Sequence, residues 1–153
     1  MAGADALIRL LRIRTYFRNY CSADEHLRRG EQVMKRKALV VGIDYYANIE
    51  SLYGCARDAS SVGQMLERDM DGSPNFDVQP IIAVDGTSSV RRGKLRNAVI
   101  QLFSGQNDVA LFYFSGHGHV DETGGYLITS ECEATLDGGL SLAEILTIAD
   151  NSS

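Results

Sequence analysis

The 153 residues are 44% hydrophobic and 23% charged with a formal net charge of −5, which predicts one soluble globular domain with enough chain to bury a core. No apolar run reaches the roughly 18 to 20 residues that span a bilayer, and the amino terminus lacks the apolar core and cleavage site of a secretory signal. The expected location is therefore cytoplasmic, with no membrane partner. Cys21, Cys55 and Cys132 are odd in number and widely spaced, which speaks against a disulfide framework or a CxxC metal knuckle and for reduced thiols.

Taken in chain order, residues 1–36 form a basic lead segment. Residues 1 to 37 hold nine Lys or Arg against four Asp or Glu, whereas the rest of the chain is acidic. Within it, Leu7, Ile8, Leu10, Leu11 and Phe17 interleave with Arg9, Arg12, Arg14 and Arg18, a spacing that predicts an amphipathic helix with a basic border. A second helical piece is expected over residues 23 to 36. The lead segment is expected to dock on the acidic domain or to stay solvated. Nucleic acid is not the expected partner, because those arginines have no aromatic platforms beside them except Tyr16 and Phe17.

Residues 37–153 read as the domain proper. "ALVVGI" from Ala38 predicts a strand buried on both faces. "GCARDASSVGQMLERDM" predicts a helix through Ala56, Ala59, Val62 and Leu66, and "DGSPN" breaks it. "FDVQPIIAV" predicts a second strand, placed at an edge or a bulge by Pro80. Thr87 is the expected cap of a helix carrying Val90, Leu95, Ala98, Val99 and Leu102. "DVALFYF" and "GGYLIT" are the next strands, and Ser141 with Glu144 has the capping-box spacing of a helix start. Strands alternating with helices predict an α/β domain in three layers, a mostly parallel open sheet with helices on both faces.

Sites in such sheets form beyond the carboxyl ends of strands, and "SGHGH" follows "DVALFYF" there. Three readings of Ser115, Gly116, His117, Gly118 and His119 stay open on residue types alone. The glycines could simply turn the chain and leave the histidines solvated. An imidazole beside flexible glycines could serve as half of a Cys/His pair, with an adjacent N–H holding an oxyanion. His117 and His119, with Asp121 and Glu122, could bind a metal; that reading ranks last, since two glycines make a loose metal site.

"KALVVGIDYY", "LYGCARDA", "ALFYFSGHGH" and "GGYLIT", in this order, resemble the large subunit of caspase-fold cysteine peptidases, more closely the metacaspases and prokaryotic caspase-family proteins. The resemblance covers about residues 37 to 150. It implies a caspase-like fold, His117 as the catalytic histidine and Gly118 as the oxyanion-hole glycine. It also implies a pocket of Cys55, Asp58 and Ser115 that selects Arg or Lys before the scissile bond in a protein or peptide substrate, with the Asp58 carboxylate giving a charge-assisted contact. By the same resemblance Cys55 is a pocket wall and not the nucleophile.

The family's nucleophile follows a further strand, and this chain stops at Ser153, before it. The expectation is an inactive piece of an endopeptidase that needs a cysteine from a missing segment or a second chain. The alternative is a noncatalytic caspase-like interaction module. No cofactor or metal is expected in this chain, while the resemblance allows calcium in the complete enzyme.

Overall fold

The computed structural model describes residues 34–133 and 139–151 with their side chains and residues 6–15 by their backbone. At the centre is β2 (Arg36–Ile43), buried without interruption from Ala38 to Ile43, as its unbroken apolar run predicts for a strand covered on both faces. Parallel to it lie β3 (Asp77–Ala83) on one side and β4 (Val109–Asp121) on the other. Pro80 falls on β3, the outermost strand of this group, where among the described residues one side of the backbone has no ladder to complete.

Helix α1 (Cys55–Glu67) links β2 to β3, and α2 (Arg92–Phe103) links β3 to β4. Alternation along the strands sends side chains to two cores. Leu39, Val41, Ile43, Phe112 and Phe114 face α2 and α3 (Leu142–Asp150), where Leu95, Val99, Leu102, Ile145 and Ala149 are buried. Ala38, Val40, Leu111 and Tyr113 face α1 through Ala59, Val62 and Leu66. The result is the expected three-layer α/β domain. Its parallel core is extended by antiparallel strands, namely β5 (Gly124–Leu127) folding back on β4 and β6 (Leu140–Ser141) beyond it.

Gly42 sets how close α1 lies to the sheet. A side chain there would meet the Cys55 carbonyl oxygen at 2.5 Å and the Ala59 Cβ at 2.8 Å. Only glycine lets the first turn of α1 rest on β2 at this separation, which fixes Cys55 and Asp58 relative to the strand ends.

Several expectations are corrected. Residues Ala6–Thr15, read as part of an amphipathic helix, form strand β1, antiparallel to β4 from Ala6 opposite Gly118 to Thr15 opposite Val109. The same residues carry β-branched side chains and, from Leu11 to Thr15, a two-residue alternation. An open edge of β4 gives their backbone a ladder that an isolated helix would not need. The helical piece expected over residues 23 to 36 lies outside the described residues as far as residue 33; Met34 and Lys35 are not helical, and Arg36 already belongs to β2.

Strand β4 does not stop at Phe114 but continues through "SGHGHVD" to Asp121. Thr87 does not cap the helix. Asp85 caps a short 3-10 turn (Gly86–Ser88), its Oδ1 accepting from the Thr87 and Ser88 N–H groups, and α2 starts at Arg92. Ser141 does cap α3, accepting from the Ala143 N–H at 3.1 Å. Glu144 turns away from a capping box to bind Arg92 at 2.8 Å and Arg96 at 2.6 Å, tying α3 to α2.

Candidate active site

His117 lies on β4, two residues past Ser115, the last β4 residue paired to β2. His117 is only 7% exposed, so it is not the solvated histidine that one reading of the sequence allowed. The cause is the segment after β2, which folds back over the carboxyl ends of the strands. The Asp44 and Tyr45 N–H groups bond to the Ala83 carbonyl at the end of β3, and the Ala47 N–H bonds to the Ser130 carbonyl. This pinned segment delivers Tyr46 and Glu50 to the histidine.

Tyr46 Oη accepts from the His117 backbone N–H at 2.8 Å, and the two rings meet edge to face with centroids 4.7 Å apart. Burial pushes the Tyr46 hydroxyl well above its ordinary pKa, so it remains a neutral phenol. Gly116 makes room for it: a side chain there would stand 2.6 Å from Tyr46 Oη and 2.9 Å from the Phe114 ring. The first glycine of "SGHG" thus serves close packing in an extended strand and not a turn.

The Glu50 carbonyl oxygen stands 2.8 Å from His117 Nε2. A carbonyl can only accept, so Nε2 carries the hydrogen, and in the neutral ring Nδ1 is left with the lone pair. Neither Tyr46 nor the Glu50 carbonyl was singled out from sequence. A backbone acceptor carries no residue signature, and Tyr46 stood in "GIDYY" without a stated role.

The predicted pocket residues gather at the start of α1. Asp44 Oδ1 accepts from the N–H groups of Cys55 at 2.8 Å and Ala56 at 3.2 Å, capping the helix. Burial raises the Cys55 thiol pKa. The Ser115 hydroxyl lies near enough to oppose that rise, though it makes no hydrogen bond of ordinary geometry, while the charges of Asp44 and Asp58 add to it. Cys55 and Ser115 are buried and Asp58 is half-buried. Ser115 and Asp58 both lie close enough to Cys55 to act on its thiol. None of them lines the adjacent cleft of about 500 Å³, which is bounded by Asp44, Tyr53, Arg57, Ser60 and Val84 among others.

Gly118, the predicted oxyanion donor, follows His117 in extended conformation on β4. The metal reading finds no support: among the described residues no group of three or more His, Cys, Asp or Glu gathers. Asp121 is engaged in the hairpin turn, its Oδ1 accepting from the Thr123 hydroxyl and from the Thr123 and Gly124 N–H groups, which holds its carboxyl below the usual range. Cys132 is buried, and Cys21 lies outside the described residues. Among the described residues no helix is long and apolar enough to cross a membrane.

Comparison with known proteins gives a match between residues 35–152 and the model of the family described as Caspase domain. Metacaspase-1 of Schizosaccharomyces pombe is 36% identical over 90 residues, covering 55% of this chain and 20% of the relative. Metacaspase-7 of Arabidopsis thaliana is 32% identical over 88 residues, 56% and 22% of the two chains. Metacaspase-1 of Scheffersomyces stipitis is 29% identical over 104 residues, 60% and 25%. The aligned part thus spans a quarter or less of each of these relatives.

Proposed function

The chain belongs to the caspase domain family, and from that premise we propose that it is the histidine-bearing part of a cysteine endopeptidase that cleaves after Arg or Lys. The observation that carries the reading is the hydrogen bond from His117 Nε2 to the Glu50 carbonyl. It orients the ring and leaves Nδ1 as the base. In this reading the thiol comes from another segment of the protein or from a second chain. The described cysteines suit the part poorly, since both are buried and the Cys55 thiol has a raised pKa.

Nδ1 takes the proton of that thiol, and the thiolate adds to the scissile carbonyl carbon. The carbonyl oxygen becomes an oxyanion held by the Gly118 N–H. The imidazolium then returns its proton to the departing amine as the C–N bond breaks. Water, activated by the same ring, hydrolyses the resulting thioester. Asp58 pairs with the guanidinium or ammonium of the residue before the cleaved bond, over a floor of Cys55 and Ser115.

A noncatalytic interaction module is the second reading, favoured by the small exposure of His117. One assay separates the two. The protein is produced with the thiol-bearing segment or chain and given peptides ending in Arg, Lys or Asp before a fluorogenic leaving group. Hydrolysis after Arg or Lys that is lost in His117→Ala carries the peptidase. Preference for Asp overturns the pocket, and absence of hydrolysis favours the module.

A further inference from the structure

Strand β4 has two edges, and the pairing says what occupies each. Residues Val109 to Ser115 pair with both β2 and β1, so those two strands lie on opposite edges. Gly118 pairs with both Ala6 of β1 and Leu127 of β5, so β5 continues the β2 edge and, among the described residues, β1 fills the other.

Successive residues of a strand turn their N–H and C=O groups to alternate edges. The Val109 N–H bonds to the Lys35 carbonyl, and the His117 N–H and C=O reach Tyr46 Oη and the Ile128 N–H. Odd-numbered residues of β4 therefore address the β2 side. Gly116 and Gly118 address β1. The amide assigned to the oxyanion thus points at the edge that β1 fills, with Ala6 opposite Gly118 and Leu7 opposite His117.

We propose that β1 is a displaceable cover strand that holds the catalytic edge of β4 closed, so that the thiol-bearing strand and the substrate carbonyl gain the Gly118 amide only when β1 leaves. This inference rests on the peptidase reading and adds its control. While β1 is paired, the competent state is populated only to the fraction in which the edge is open, and apparent activity falls by that fraction. Edge pairing is well suited to exchange, because an incoming strand replaces one backbone ladder with another.

The test uses three forms of the protein with its thiol-bearing segment present: unaltered, lacking residues 1–15, and Leu10→Pro, which removes a ladder donor from the middle of β1 while keeping the chain length. Hydrolysis of an Arg peptide is measured on each, and amide hydrogen exchange on the corresponding three forms of the present chain without that segment, where no incoming strand re-covers the edge. Both altered forms should there exchange the Gly116 and Gly118 amides at least about tenfold faster, with the His117 amide unchanged. Hydrolysis should rise about tenfold or more. Unchanged exchange in both altered forms overturns the cover, as does faster exchange with equal hydrolysis in an active protein; in either case the peptidase stands. Hydrolysis in none of the three forms removes the peptidase reading and the cover with it.

Discussion

Along one edge β4 pairs with β2 and then β5, and along the other with β1, and the two edges differ in what holds them. The β2 edge is framed by a strand buried from Ala38 to Ile43 and by the segment that brings Tyr46 and Glu50 to His117. Its bonds fix the histidine. The β1 edge is a backbone ladder from a segment far away in sequence, and it faces the Gly118 amide. One edge builds the imidazole's environment, and the other, in the proposed cover, decides what can reach it.

Substitutions on the scaffold edge should therefore cost stability, and those at the chemistry should cost turnover. The largest expected effect is His117→Ala in the protein supplied with its thiol: about 10² to 10⁴-fold lower kcat/KM on an Arg peptide, as loss of a general acid-base demands. Its circular dichroism and melting cooperativity should be those of the parent.

Gly116→Ala lies one residue away and should act oppositely, since its methyl group collides with Tyr46 and Phe114. We expect about 1–3 kcal/mol less stability in urea unfolding, the usual result of overpacking. Tyr46→Phe leaves the buried His117 N–H without an acceptor and should cost about 1–3 kcal/mol by the same measurement. If either variant unfolds at the parental denaturant midpoint, the scaffold edge is not what holds the histidine.

Cys55 sharpens the contrast by reactivity. Its pKa is raised, so its thiolate forms only above the pH range of a free cysteine. Alkylation of the folded protein should be slower near neutral pH than in the denatured chain, and its rate should climb at more alkaline pH. The smallest effect belongs to Glu144→Gln, remote from both edges. It weakens the bonds to Arg92 and Arg96, which are 43% exposed, and should cost no more than about 1 kcal/mol in thermal or urea unfolding.

The parallel core was legible because β2 and β4 carry apolar runs that only a doubly covered strand explains, and Pro80 marked β3 as an edge. Ser141 was legible as a cap because its hydroxyl acts on an N–H two residues away. Glu144 was misread because the arginines of α2 reach it only once the chain is folded, and Thr87 because the neighbouring Asp85, whose carboxylate accepts from the Thr87 and Ser88 N–H groups, is the local cap instead. At the site, "SGHG" drew attention to His117 and Gly118 through residue type and family resemblance. The Glu50 carbonyl could not be seen, since every residue has one.

By itself the sequence determined the layer order, the helix that carries Cys55 and Asp58, and the strand that leads into His117, because periodicity and residue volume act over a few neighbours. Only the tertiary structure decided that Ala6–Thr15 is a strand, that Gly116 yields space to Tyr46, and that Nε2 is the ring's donor. Each of those depends on a partner distant along the chain, and a hydrogen-bond ladder or a close contact exists only when both partners are in place.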